Sequence, residues 1–204
     1  TEQQQSLLTS TQERYQGFIT MLVADKQGQV IYGAPKEFND VFMALPEEER
    51  RVDDRGYFLL PRQTGQWHVS NVFQGRGFGN DPIIAISSPI QRDGEFQGIV
   101  EGSLNLSLFN RFENSIERSA GEHHVIVTDG GDRIIYRSAH FDLDVLSTLE
   151  LAPRNNFYSD DLPLSMLNEQ EYMYFQVVNN YGWKIYVLSR PSIMTRIFLE
   201  NIVI

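Results

Sequence analysis

The sequence contains no cysteine. A disulfide framework, a thiolate metal site and a cysteine nucleophile are all excluded. Basic residues are few: 17 Lys and Arg face 27 Asp and Glu, for a formal net charge of -10. Nucleic-acid backbones and anionic membrane surfaces are held by net positive faces, so neither is an expected partner. A local basic pocket for a small anion is still compatible with this balance. No signal peptide is present, and no apolar run is long enough to span a bilayer. HxxxH and HExxH spacings are absent, as is a G-x-S-x-G nucleophile elbow. The adjacent His123 and His124 would face opposite sides of a strand and so do not chelate one metal together. Gly75-Arg76-Gly77-Phe78-Gly79 has the glycines of a phosphate loop but not its Lys-Ser/Thr ending. It also leads into a strand, where no helix N-terminus is available to a phosphate. No catalytic residue, metal or cofactor is therefore assigned, and the fragment is not expected to be an enzyme.

What the chain does have is apolar material in short, regularly punctuated runs. It is 41% hydrophobic and 12% aromatic over 204 residues, enough to bury one core or two small ones. Three runs, 69–73, 83–90 and 96–106, are separated by turn residues: Gly75 to Pro82, then Arg92-Asp93-Gly94. This grammar predicts an antiparallel three-stranded meander, the main sheet of a small α+β domain. The run 83–90 is apolar on both parities until Ser87, as in a strand covered on both faces.

Upstream, residues 1–16 are rich in Gln, Ser and Thr and predict a helix with a thin apolar stripe. That stripe packs either on its own domain or against a second subunit. Residues 18–34 read as a hairpin turning at Lys26-Gln27-Gly28. A helix is expected over 36–45, where Phe38, Val41, Phe42 and Leu45 fall at i, i+3, i+4 and i+7 before Pro46. The charge run Glu47 to Arg55 reads as a solvated loop. Asp54 is placed to cap a short turn that Pro61 would end. A second helix is expected over 107–121, with Gly121 as its stop.

The chain then repeats itself. Residues 127–136 (VTDGGDRIIY) match 23–32 (VADKQGQVIY) at an offset of 104 residues, Val23 to Val127. Each reads as strand, Asp, tight polar turn and a return strand ending in Tyr. With the strands that follow, this predicts two related modules. One further cluster stands out: Asp54-Arg55-Gly56-Tyr57-Phe58, a guanidinium followed by two aromatics just before the meander. Arg supplies bidentate donors to a carboxylate, and aromatics wall a pocket.

These stretches together resemble the double Cache (PDC, PAS-like) extracytoplasmic sensor domains of bacterial histidine kinases, diguanylate cyclases and chemoreceptors. The resemblance is carried by VADKQGQVIY, DRGYF, VSNVFQGRGFGNDPIIAISSPI and GEFQGIVEGSLNLSLF in the first half. VIVTDGGDRIIY and YGWKIYVLSRP carry it in the second. It implies an α+β fold of two tandem PAS-like modules with antiparallel sheets. The implied divisions are an N-terminal helix (1–16), a membrane-distal module (17–110), a membrane-proximal module (111–191) and a C-terminal helix toward the membrane (192–204). It implies a periplasmic portion of an inner-membrane receptor, a sensor histidine kinase above the other outputs, and a possible homodimer. The membrane would be reached through flanking helices absent from this chain. A ligand-independent periplasmic interaction domain is the competing function.

Family members that bind amino acids carry Arg-x-Trp/Tyr-Tyr for the ligand carboxylate, and Arg55, Tyr57 and Phe58 stand there. Their Tyr and two Asp that hold the ligand ammonium are matched by Phe73, Gly75 and Ser103. The resemblance therefore implies a distal-module site of Arg55, Tyr57, Phe58, Trp67, Phe73, Arg76, Ser87 and Ser103. The expected ligand is a small organic anion, not a zwitterionic amino acid, because no carboxylate is foreseen to neutralise an ammonium.

Overall fold

The computed structural model describes residues 2–75, 81–109, 123–154 and 164–191. The chain divides into two compact units, Thr1–Leu106 and Ser107–Ile204. The expected helices over 107–121 and 192–204 lie mainly or wholly outside the described residues.

Unit 1 opens with α1 (Glu2–Arg14) and a hairpin, β1 (Phe18–Asp25) and β2 (Val30–Ala34). Then come α2 (Lys36–Met43), a 3₁₀ turn (Glu47–Arg50) and α3 (Gly56–Thr64). The expected meander follows, with its first strand broken into β3 (His68–Val69) and β4 (Phe73–Gln74), both pairing with β5 (Pro82–Arg92). β6 (Glu95–Asn105) closes it, and the antiparallel sheet runs β2-β1-β6-β5-β3. Unit 2 has a separate antiparallel sheet in the order β8-β7-β12-β11-β10-β9. Its strands are β7 (His123–Thr128), β8 (Ile134–Arg137), β9 (Ala152–Arg154), β10 (Leu164–Leu167), β11 (Gln170–Val178) and β12 (Lys184–Ser189). In both sheets the first hairpin sits at one edge and the last strand of the unit lies beside its first.

The repeat seen in the sequence is physical. Both hairpins slip register at the same place, between Val23 and Ala24 and between Val127 and Thr128. Asp25 Oδ1 accepts the Gln27 and Gln29 backbone N–H, both at 2.9 Å. Asp129 Oδ1 accepts those of Gly131 and Arg133 at 2.9 and 3.0 Å. Asn179 repeats the device between β11 and β12, accepting from Tyr181 and Trp183 at 2.9 and 3.0 Å. A short side chain that satisfies two turn donors lets the backbone enter the left-handed region three residues on. That position is Gly28, Asp132 or Gly182, at φ of 83°, 63° and 80°.

The alternation along β1 sorts the core of unit 1 into two layers. Met21, Val23 and Ala34 bury one face under Leu8 of α1. Leu22, Ala24 and Ile99 bury the other under Phe38, Phe42, Val52 and Phe58. On α2, Phe38 and Phe42 are buried, but Val41 is exposed, so the inward stripe is narrower than its spacing predicts. α3 runs through Pro61, which the sequence reading used as a stop, and ends instead at Gly65 in the left-handed region. Pro61 is buried there, so its ring packs inward, and its carbonyl accepts the Gly65 N–H at 2.9 Å. Asp54 is not the cap of α3: the N-cap position falls on Arg55, whose side chain makes no capping hydrogen bond.

Candidate functional site

A cavity of about 680 Å³ lies in unit 1, on the sheet face opposite α1. Its floor is the sheet. Leu22, Glu101 and Ser87 stand opposite one another across β1, β6 and β5, and Thr20, Ser103 and Ala85 form the next row. Residues two apart on a strand share a face, so Glu101 and Ser103 point the same way. Both line the cavity, with Thr20, Leu22 and Ile83. Phe38, Phe42 and Leu45 form one wall, and Tyr57, Phe73 and Gly75 another. The rings of Tyr57 and Phe73 lie 6.1 Å apart at an interplanar angle of 19°.

The rim is the charge run read as a solvated loop. Glu48, Glu49, Arg51, Val52, Asp53 and Asp54 all line the cavity, and Val52 is buried in the core beneath. The segment is tied down by backbone pairing that no local pattern announces. Gln29 bridges Arg51, and the Val52 N–H donates to the Gly28 carbonyl at 2.9 Å. Arg51 holds Asp53 through two hydrogen bonds of 2.9 Å and donates to the Gln27 carbonyl at 3.0 Å. The guanidinium holds the Asp53 carboxyl below its ordinary range. At Gly28 a Cβ would come within 2.5 Å of the Asp53 Cβ, so this turn needs glycine for space as well as for its positive φ.

Arg55 immediately precedes α3, with its backbone N–H on the Val52 carbonyl at 3.0 Å. Its side chain is mostly buried, lies 3.4 Å from the Asp54 carboxylate and lines the cavity. Arg55, Tyr57, Phe73 and Ser103 are thus gathered around one space. Phe58, Trp67 and Ser87 are not. Phe58 is fully buried in the core, edge-on to Phe96, because helical rotation turns it away from Tyr57. Trp67 is 57% exposed and does not line the cavity. Ser87 is buried on the correct face but lies outside the cavity lining. Arg76 falls outside the described residues.

The residue that the sequence reading missed is Glu101. It is 2% exposed, and among the described residues its hydrogen-bond partner is the Ser103 hydroxyl, which donates to Oε1 at 2.9 Å. Burial pushes its carboxyl up to about 8, with the Ser103 hydrogen bond pulling the other way. Its signal was a lone acid at the core-facing parity of a strand, between Ile99 and Ser103. This overturns the ground on which an ammonium was excluded, since the cavity does hold carboxylates. Two arginines, Arg51 and Arg55, share its lining with six acids: Glu48, Glu49, Asp53, Asp54, Asp81 and Glu101.

In unit 2 the two adjacent histidines diverge, as their strand placement requires. His123 bonds Ser189, while His124 stacks on His140 with centroids 3.9 Å apart and planes within 5°. Burial first, then the neighbouring His140, lowers the pKa of His124. Among the described residues no group of three His, Asp or Glu side chains is placed to hold a metal, and no helix is long and apolar enough to cross a membrane.

No protein-family model matches the chain, and no curated protein matches its sequence. Solved structures do resemble it in fold. The ligand-binding domain of the Pseudomonas aeruginosa PAO1 amino acid chemoreceptor PctB, in complex with L-Arg, is 15% identical with a TM-score of 0.71. The match covers 98% of this chain and 77% of that one. The sensor domain of the Vibrio cholerae histidine kinase DctB is 15% identical with a TM-score of 0.65, covering 93% and 78%. The sensory domain of the Campylobacter jejuni chemoreceptor Tlp3 with isoleucine bound is 13% identical with a TM-score of 0.64, covering 94% and 73%. The chain therefore shares the α+β fold of these ligand-binding and sensor domains, with two PAS-like, antiparallel-sheet units in tandem.

Proposed function

We propose that this chain is the extracytoplasmic ligand-sensing part of a transmembrane signalling receptor, and that the cavity of unit 1 binds a small carboxylate-bearing ligand. The observation that carries this is the 680 Å³ cavity between sheet and rim, with the guanidinium of Arg55 beside the Tyr57–Phe73 wall. A pocket of that size, part apolar and part lined by convergent polar groups, suits a small molecule. Arg55 offers donors in a plane that matches a carboxylate. The acids on the floor and rim also admit a ligand that carries a positive charge. Ligands of that kind, L-Arg and isoleucine, occupy two of the similar domains.

The output is a histidine kinase in this reading, supported by the likeness to the sensor domain of the histidine kinase DctB. The chemoreceptor likenesses make a chemotaxis output the second reading. The residues encoded after Ile204 test the choice: a spanning helix followed by a kinase core supports the first, and a methyl-accepting coiled coil replaces it with the second. Assembly as a parallel dimer belongs to the same proposal, and the exposed Leu7 of α1 and Tyr15 just after it are available to a second copy.

A thermal-shift screen of small carboxylic acids and amino acids tests the ligand class. At a concentration some hundred to a thousand times Kd, a true ligand adds about 3–4 kcal/mol of stability. Replacing Arg55 with Ala should weaken it by about 1.5–3 kcal/mol, the usual worth of a charge-assisted hydrogen bond. If no carboxylate-bearing compound shifts the midpoint, the ligand assignment is wrong.

A further inference from the structure

A second depression of unit 1, a cleft of about 450 Å³, is lined by Lys26, Gln27, Arg51, Asp53, Arg62 and Phe96. Several elements converge on it. Lys26 and Gln27 come from the turn between β1 and β2, Arg51 and Asp53 from the rim, Arg62 from the last turn of α3, and Phe96 from β6. Turn and rim are fixed against each other. Val52 donates to the Gly28 carbonyl, Gln29 bridges Arg51, and Arg51 donates to the Gln27 carbonyl. The half-buried Phe96 ring, edge-on to Phe58, gives the cleft an apolar patch.

The charges of this cleft do not balance. Three cations line it with one acid, in a chain of net charge -10. That acid is committed, because Arg51 holds Asp53 through two hydrogen bonds. Lys26 and Arg62 remain, both exposed and both without a hydrogen bond or ion pair among the described residues. Of the three lysines in the chain, the other two are paired, Lys36 with Asp40 and Lys184 with Asp132. A cation in the last turn of α3 suits the helix dipole, which accounts for Arg62 by itself. It does not account for Lys26, which a different element brings to the same cleft. Asp25 and Glu47 act on Arg51 from nearby but do not line the cleft, and Asp25 Oδ1 is taken by two turn amides. Like charges gathered on a fixed scaffold, with the one lining acid already neutralised, concentrate anions.

We propose that this cleft is a second binding site of unit 1, for a doubly charged tetrahedral oxyanion: free phosphate or the phosphate of a small monoester. Lys26 supplies a compact charge and Arg62 a planar fork of donors, and both suit phosphate oxygens. Their two positive charges match a phosphate group at neutral pH, which carries about −1.5 to −2. The Phe96 ring is placed to meet the apolar body of an ester. The site does not rest on the ligand proposed for the cavity, and Lys26 and Arg62 do not line that cavity. The two spaces nevertheless share a wall, since Arg51 and Asp53 line both. An oxyanion that draws Arg51 away from Asp53 loosens the cavity rim, so occupancy of the cleft is felt at the cavity.

The experiment follows backbone amide chemical shifts of the whole isotope-labelled chain while sodium phosphate replaces sodium chloride at constant ionic strength. Glycerol phosphate forms a second arm, and sodium chloride alone is the control. Expected is a saturable shift at Lys26, Gln27 and Arg62 with phosphate, spreading to 51–54, and none with chloride. Tighter binding of glycerol phosphate assigns the monoester, and equal or weaker binding assigns the free ion. Lys26→Gln and Arg62→Gln should each weaken binding about fivefold, the upper worth of an exposed ion pair. Raising the ionic strength should weaken it too, because exposed charges are screened. Both side chains are exposed, and an unchanged spectrum away from the cleft confirms that each variant is folded. Shifts at Lys26, Gln27 and Arg62 that fail to saturate, or that chloride reproduces, overturn the site. Saturable binding that neither substitution weakens places the ion elsewhere and overturns it as well. None of these outcomes touches the carboxylate ligand of the cavity, whose assignment is tested through Arg55.

Discussion

Glu101 also predicts how the protein's stability changes with pH. A buried carboxyl raised from 4.5 to about 8 binds its proton more tightly in the folded state than in the unfolded one. Between those values the native state holds more protons, so stability falls as pH rises and levels off above about 8. This is the reverse of a salt-bridged Asp, whose depressed pKa stabilises at neutral pH and is lost in acid. Integrating from pH 5 to pH 9 gives a loss of about 4 kcal/mol from this one group, an order-of-magnitude value. Against a typical domain stability of roughly 5–15 kcal/mol that is a large share. Glu101→Gln keeps the shape and an acceptor for the Ser103 hydroxyl but carries no charge at any pH. Urea melts of both proteins without ligand, followed by circular dichroism and fitted to two transitions, provide the comparison. The difference between the curves removes every other titrating group. The variant should match the parent near pH 5 and exceed it by several kcal/mol at pH 9, in the transition that belongs to unit 1. A difference that stays flat across this range would refute the reasoning, since it would mean that Glu101 is ionised and already compensated at neutral pH.

Four further outcomes follow from the packing. Phe58→Ala removes a fully buried ring that meets Phe96 edge-on, and should cost about 3–5 kcal/mol in a chemical melt of unit 1. Gly28→Ala should cost about 1–3 kcal/mol for its φ of 83° plus displacement of the Asp53 rim, visible as faster amide exchange over 50–54 and weaker ligand binding. Asp129→Ala strips the acceptor from two turn amides at a fully buried position, and should destabilise unit 2 by about 1–3 kcal/mol; Asp129→Asn should recover most of that. His124 has a lowered pKa, so the unfolded chain binds its proton first; the stability it contributes is present above about 6.5 and is lost as pH falls below that. The mid-point of unit 2 should therefore drop from pH 7 to pH 5.5, and His124→Phe should flatten that slope.

Much of this protein was legible in the chain because its signals are local. Period-two alternation, turn residues and an Asp followed by a tight turn act over a few residues, and they marked the meander, both hairpins and the repeat. The clustering of Arg55 and Tyr57 was also local, since both stand at the start of α3. Pairing between distant segments is a different matter. The run 47–54 has the composition of a solvated loop; what makes it a cavity rim is the bridge from Gln29 to Arg51 and the Val52 bond to Gly28, more than twenty residues away. Helical phase separated Tyr57, in the cavity, from Phe58, in the core, although the two are adjacent. Glu101 reads as one acid in an apolar strand, and its parity already placed it inward. Only the sheet order, which sets β6 between β1 and β5, and the shell of α2, α3 and rim above it take away its water and give it a cavity to face. Local propensities therefore specified the elements, while the depth of burial of a single carboxyl, and hence its chemistry, came from contacts that close only when the whole unit is folded.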